Sequence, residues 1–247
     1  MGTLIILSGP SGVGKGPMTK ALELHCESTG KKITKHVLYN NRAMRKGEAD
    51  GVTYHFVSKK QMISMRDSNA NRYHLFYLSE DKEKCQMLDK EKLSEELNKN
   101  DLVLLEILPT QTETPKSVAV SGGHVVREIF ISPLSDDEFK ALGISDGERD
   151  SAATAVMLTK LINRDTEDWE DQLKRAKRAA DEIKEARMHS NGKEKVFFIN
   201  HFGEDNRYMW DLLHDAIEKG QFNQADNLAI FQTFKRFINL VIPVKEY

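Results

Sequence analysis

Seven residues, Gly9-Pro-Ser-Gly-Val-Gly-Lys15, constrain this chain more than any other stretch. They follow the apolar run Leu4-Ile5-Ile6-Leu7, which predicts a strand over Thr3 to Leu7, and they precede a helix predicted over Met18 to Ser28. A short, continuous apolar strand is the kind buried on both faces of a parallel sheet. Between such a strand and a helix, G-x-x-x-x-G-K is the pattern of a phosphate-binding loop. Its glycines let backbone N–H groups turn inward around phosphate oxygens. The helix N-terminus adds partial positive charge, and Lys15 supplies a full one for β- and γ-phosphates. The Ser or Thr that usually follows the Lys and ligates Mg²⁺ is replaced by Gly16, with Pro17 next. Pro suits a first helical turn, so the fold tolerates the change.

The rest of the chain fits around that unit. Leu102 to Leu108, Glu128 to Ser132 and Lys195 to Asn200 read as further strands, and Asp89 to Lys99, Trp169 to His189 and Asn206 to Lys219 as helices. Strands alternating with helices predict an α/β fold: a P-loop parallel sheet with helices on both faces. Val52 to Ser58 alternates within a region dense in Arg, Lys and Gly, which predicts a small β-rich insertion. Ala141 to Met157 shows no clear period and reads as a lid elaboration. Near the C-terminus, Phe231, Phe234, Phe237 and Ile238 form a helical apolar stripe, either packed on its own domain or forming a homodimer contact.

Composition excludes several classes. Lys+Arg at 36 against Asp+Glu at 38 gives a net charge of −2, so no global field favours nucleic acid or an anionic membrane. Any bound anion must be held locally. Two cysteines, Cys26 and Cys85, are too few for a disulfide framework and lack zinc-ligand spacing, which fits a reducing, cytoplasmic setting. The early apolar run is too short for a signal peptide or a membrane span.

Gly9 to Gly16 resembles the nucleotide loop of the guanylate kinase family, some members of which also carry Gly after the Lys. Asn41-Arg-Ala-Met-Arg-Lys-Gly-Glu-Ala-Asp-Gly-Val-Thr-Tyr-His-Phe-Val-Ser58 is similar to that family's T-R-x-x-R-x-G-E-x-x-G-x-x-Y-x-F-V-S, a long and specific match. Lys160-Leu-Ile-Asn-Arg164 with Lys174-Arg175 can be laid on the lid pattern R-L-x-x-R followed by K-R, and Val196-Phe-Phe-Ile-Asn200 on V-I-V-N-D. The resemblance implies a domain over 1–220, with a core of 1–35, 90–140 and 190–220, an acceptor-binding insertion over 36–88 and a helical lid over 141–188. Residues 221–247 would be a C-terminal helical extension.

The same resemblance implies a division of labour. Gly9, Ser11, Gly12, Val13, Gly14, Lys15, Gly16 and Asn200 would bind ATP, with Lys15, Arg164 and Arg175 catalytic. Arg42, Arg45 and Tyr54 would grip the phosphate of a small-molecule acceptor, where guanidinium forks suit the anion. Glu106 would hold Mg²⁺ through water. The guanine end departs from the pattern: Leu38 stands for a base-contacting Ser, Asn40 and Asn41 for two Thr, and Leu108 for an Asp. By an approximate alignment, Tyr77, Gln86 and Leu88 replace a Glu, a Tyr and a Ser. Leucines offer no acceptor to the N1–H and N2–H₂ donors of guanine. Two functions stay open on these grounds: an ATP-dependent phosphotransferase with an acceptor other than GMP, and a silent module that binds ATP or a phosphorylated partner.

Overall fold

The computed structural model describes residues 1–45, 47–78, 81–133, 143–145, 148–162, 169–189 and 195–199. Arg164, Asn200, the helix expected over Asn206 to Lys219 and the stripe from Phe231 to Ile238 lie outside them. The strands are β1 (Thr3–Ser8), β2 (Ile33–Lys35), β3 (Tyr39–Asn40), β4 (His55–Phe56), β5 (Tyr73–Tyr77), β6 (Cys85–Asp89), β7 (Leu102–Glu106), β8 (Val125–Ser132) and β9 (Lys195–Ile199). The helices are α1 (Lys15–Thr29), α2 (Lys59–Ser68), α3 (Lys90–Lys99), α4 (Glu113–Ser121), α5 (Arg149–Ile162) and α6 (Trp169–His189). Five strands form one sheet in the order β2-β7-β1-β8-β9, and four form a second in the order β4-β3-β6-β5. No helix among the described residues is long and apolar enough to cross a membrane.

The contacts divide the chain into two compact units. The first comprises Met1–Ile6, Gly30–Ile107 and Gln111–Val126. Here β2 pairs parallel with β7, Ile33 opposite Leu102 and Lys35 opposite Leu104. In the smaller sheet β5 and β6 are antiparallel from Tyr73↔Asp89 to Tyr77↔Cys85. Leu4, Ile6, Val103 and Leu105 alternate along their strands, so one face of them meets Leu38, Leu88, Leu93, Leu97 and Ala119 in a common core. A satellite core of Met62, Cys85 and Met87 lies under α2. Cys26 and Cys85 are buried and form no disulfide.

Two caps fix helix positions in this unit. Ser58 and Gln61 form a reciprocal capping box on α2. Asp89, 1% exposed, accepts from the Lys92 N–H at the start of α3, and its carboxylate is gripped by Arg72 through Nε at 3.0 Å and Nη2 at 2.6 Å. Asp89→Ala loses both interactions at once. We expect it to cost about 2–4 kcal/mol, summing a cap and a charged hydrogen bond. Thermal unfolding followed by circular dichroism reads this as a lower Tm, and an unchanged Tm would refute the assignment.

The second unit comprises Leu7–Thr29, Leu108–Thr110 and Arg127–Tyr247. In it β8 and β9 run parallel, from Glu128↔Lys195 to Ser132↔Ile199. Phe130 of β8 packs with Ala152, Ala153 and Val156 of α5 and with Ala180, Ile183 and Ala186 of α6. Four alanines in that seam bring the two helices together with little side-chain bulk between them.

Several boundaries differ from the sequence expectation. α1 starts at Lys15, three residues earlier than Met18, because Pro17 is accommodated in its first turn. The run from Leu102 stops at Glu106, since Pro109 opens a 3₁₀ turn over Pro109–Gln111. Only His55–Phe56 of the alternating segment is strand; Ser58 is already the α2 cap and Asp50 bridges Tyr54. The stretch read as aperiodic runs into α5, whose buried Ala152, Ala153, Val156, Met157 and Leu161 do follow a helical spacing. Alanine is too weakly apolar to announce that face.

Candidate active site

In the second unit, the loop at the carboxyl end of β1 has the backbone a phosphate cradle needs. Gly9 and Gly12 take φ of 147° and 94°, and Gly14 takes 116°. At Gly9 a Cβ would lie 2.6 Å from the Ile131 carbonyl, and at Gly12 2.9 Å from a Leu161 methyl. Conformation and space both select glycine there. Val13 is buried and its N–H donates to the Pro10 carbonyl at 3.1 Å. Lys15 heads α1, and its Nζ donates to the carbonyls of Gly9 at 2.5 Å and Pro10 at 3.0 Å. The ammonium therefore lies over the loop, where phosphate oxygens would replace those carbonyls. A Cβ on Gly16 would meet nothing within 4 Å, so packing does not demand glycine there.

Arg175 of α6 donates through Nη2 to the Ser11 hydroxyl of this loop. The arginine expected from the lid pattern thus reaches the loop itself, together with Lys15. Sequence reasoning missed Glu182 on the same helix. It is 8% exposed, and burial pushes its carboxyl up to about 7, against the opposing pull of Lys15. It was hidden in the charged run from Arg164 to Arg187. A sharper reading of spacing would have found it, because Ala179, Ile183 and Ala186 place position 182 beside the apolar face.

The residues expected to grip an acceptor phosphate gather in the first unit. Arg42 Nη1 donates to Glu48 Oε2 at 2.6 Å and to the Ala43 carbonyl at 2.8 Å, while Nη2 donates to Glu48 Oε1. The guanidinium lies 5.2 Å from the Tyr54 ring centre and 5.4 Å from that of Phe56. Hydrogen bonding from Arg42 holds the Glu48 carboxyl below its ordinary range. Arg45 is exposed, and its backbone N–H donates to Glu48 at 2.8 Å. Burial raises the Tyr54 phenol, and the charge of Glu106 raises it further. Tyr54 and Glu106 line one cleft with Lys35, His36, Leu38 and Thr53.

Glu106 pairs with Lys35 at 2.9 Å. The described residues hold no group of three or more His, Cys, Asp or Glu placed to cage a metal. Mg²⁺ needs no such cage when nucleotide phosphates and water supply most of its ligands, so one carboxylate with a hydrated ion is a compatible donor set.

The positions where guanine readers would stand have other tasks. Leu38 and Leu88 belong to the hydrophobic core, and Leu38 also lines the cleft beside Tyr54. Asn41 closes the end of the β3–β6 pairing, donating to the Glu83 carbonyl at 2.6 Å and accepting from the Cys85 N–H at 2.9 Å. Asn40 accepts from the Arg42 N–H at 3.1 Å. Gln86 is buried and bonded to the Tyr54 side chain, and Tyr77 is exposed beneath Lys82.

The guanylate kinase family model matches residues 1–173. The chain belongs to the guanylate kinase family. It is 31% identical over 172 residues to the guanylate kinase of Helicobacter hepaticus, covering 68% of this chain and 69% of that protein. Against the guanylate kinase of Pseudomonas fluorescens strain Pf0-1 it is 45% identical over 64 residues, which is 26% of this chain and 29% of the relative's length. The fold matches the crystal structure of guanylate kinase from Anaplasma phagocytophilum with a TM-score of 0.53 at 21% identity, covering 90% of this chain and 88% of the other. The P-loop α/β fold expected from the sequence stands with the family.

Proposed function

We propose that this chain is an ATP-dependent phosphotransferase that moves the γ-phosphate of Mg-ATP to a nucleoside monophosphate or related phosphate ester whose base is not guanine. The observation that carries the reading is the meeting of Lys15 and Arg175 on one glycine loop. Those two cations would hold the transferring phosphate and stabilise the charge on its equatorial oxygens. Arg42 and Tyr54, with Arg45 at the rim, would orient the acceptor phosphate. One acceptor oxygen attacks the γ-phosphorus as its bond to the β–γ bridging oxygen breaks, and ADP leaves. No general base is required, because the acceptor is already an anion. Mg²⁺, with Glu106 as its carboxylate, would supply charge neutralisation on the nucleotide phosphates.

The acceptor restriction rests on Leu38 and Leu88, which offer no hydrogen bond, and on Asn40 and Asn41, whose side chains are committed to backbone partners. Coupled ADP release with Mg-ATP against all ribo- and deoxynucleoside monophosphates and the ribose phosphates tests this. We expect turnover on an acceptor other than GMP. Preference for GMP above the rest would overturn the acceptor reading while keeping the kinase.

One observation favours a second reading, a module that binds ATP or a phosphorylated partner without transfer. Gly16 lacks the hydroxyl although space is open for one. ATP binding with silence across the whole panel would select it.

A further inference from the structure

The parallel register of β2 and β7 sets Lys35 opposite Leu104, so Lys35 shares a face with Glu106, two residues further on. Each is the last residue of its strand, at the carboxyl edge where α/β sheets hold ligands. Their side chains meet at 2.9 Å while staying 30% and 21% exposed. Stability does not require this pair. A half-exposed ion pair contributes little, and backbone pairing already ties β2 to β7.

The pair lines the same cleft as Tyr54, Thr53 and Leu38. With an acceptor's phosphate on Arg42 and Tyr54, the group attached to that phosphate would lie along this lining. An ammonium has three N–H donors and Glu106 takes one, so a second can meet an oxygen of the ligand. Glu106 holds the ammonium in place, and a carbonyl that arrives there gains a charge-assisted hydrogen bond. Leu38 offers neither donor nor acceptor, so an amine set against it loses water and gains no partner. The Thr53 hydroxyl and the Glu106 carboxylate are acceptor groups of the same lining for a ring N–H.

We propose that Lys35 reads a carbonyl oxygen on the acceptor's base and that Leu38 rejects bases with an exocyclic amine. The acceptor class is then a monophosphate of a keto base without such an amine: uracil, thymine or hypoxanthine. The inference rests on Arg42 and Tyr54 forming the acceptor's phosphate site. Lys35 determines specificity here, and the transferring phosphate does not touch it.

Calorimetric titration of the full chain with UMP, IMP, GMP and ribose 5-phosphate tests this without ATP. Wild type is expected to bind UMP and IMP about tenfold more tightly than ribose 5-phosphate, the gain from one charged hydrogen bond. IMP differs from GMP only in lacking the 2-amino group, and should bind about tenfold more tightly. Lys35→Met keeps most of the side chain and removes the ammonium. It should bring UMP and IMP to within about twofold of ribose 5-phosphate. Ribose 5-phosphate itself should bind as before, since Arg42 and Tyr54 hold its phosphate. Equal affinity of wild type for GMP and IMP would overturn the inference with no variant needed. Lys35→Met weakening every probe alike would overturn it too, because the lysine would then serve the phosphate or the fold. If no probe binds wild type, the acceptor site itself is refuted and the inference falls with it.

Discussion

Lys15→Ala is expected to lower turnover about 10²–10³-fold, the loss usual for one preorganised charge donor at a reacting centre. The magnitude follows from where the ammonium lies. It already hydrogen-bonds two carbonyls of the loop, at 2.5 and 3.0 Å, so its reach covers the space the backbone curls around. With phosphate present it would trade those carbonyls for charged oxygens, a roughly twofold stronger partner. The charge on those oxygens redistributes during transfer, so the interaction strengthens in the transition state and appears in kcat as well as KM.

The fold should survive the same change. The loop shape is held by three positive-φ glycines and by buried Val13, none of which needs the ammonium. Glu182 loses its strongest compensating charge in the variant and becomes a neutral acid at pH 7 rather than a stranded anion. Tm should therefore move by only a few degrees. Coupled ADP release together with a melt decides the matter. Normal turnover would show that ATP does not use this loop, and collapse of Tm would show that Lys15 is structural.

The loop was legible in the sequence because its requirements are local: a buried strand, glycines at fixed offsets, and a lysine at a helix start. The Arg42-to-Tyr54 cluster was legible for a similar reason, since thirteen residues contain Arg42, Glu48 and Tyr54 and fold them onto one another. Glu48 itself was passed over, although it is the carboxylate that fixes the Arg42 fork. What the sequence hid depends on tertiary placement. Glu106 was expected from the resemblance to hold Mg²⁺ through water; that parallel pairing of β2 with β7 also brings Lys35 to it was not visible. Asn40 and Asn41 looked like altered substrate contacts; they are committed to the backbone of their own sheet. Glu182 looked solvated among many charges, and only helix packing buries it.

Arg42→Ala should lower kcat/KM by about 10²-fold or more, raising acceptor KM and lowering kcat together. Arg42 is preorganised by several partners: Glu48 takes both of its terminal nitrogens, the Ala43 carbonyl a further bond, and the adjoining rings of Tyr54 and Phe56 lie together against the guanidinium. A guanidinium held this way cannot tumble, so a phosphate that docks on it arrives with one orientation. Because Arg42 holds the Glu48 carboxyl below its ordinary range, the pair stays ionised through the neutral range and begins to fail only as pH falls through that lowered value. The acceptor's own second phosphate ionisation, near 6, should therefore dominate the acid limb of the profile. Arg42→Lys separates charge from geometry. A lysine keeps the positive charge but cannot span both Glu48 oxygens or present a planar group to the aromatic pair. If orientation is the task, Arg42→Lys loses nearly as much kcat as Arg42→Ala while recovering part of the KM. Full recovery of both by lysine would mean that the site needs only a cation, and the ordered array around Glu48 would then serve the fold rather than the acceptor.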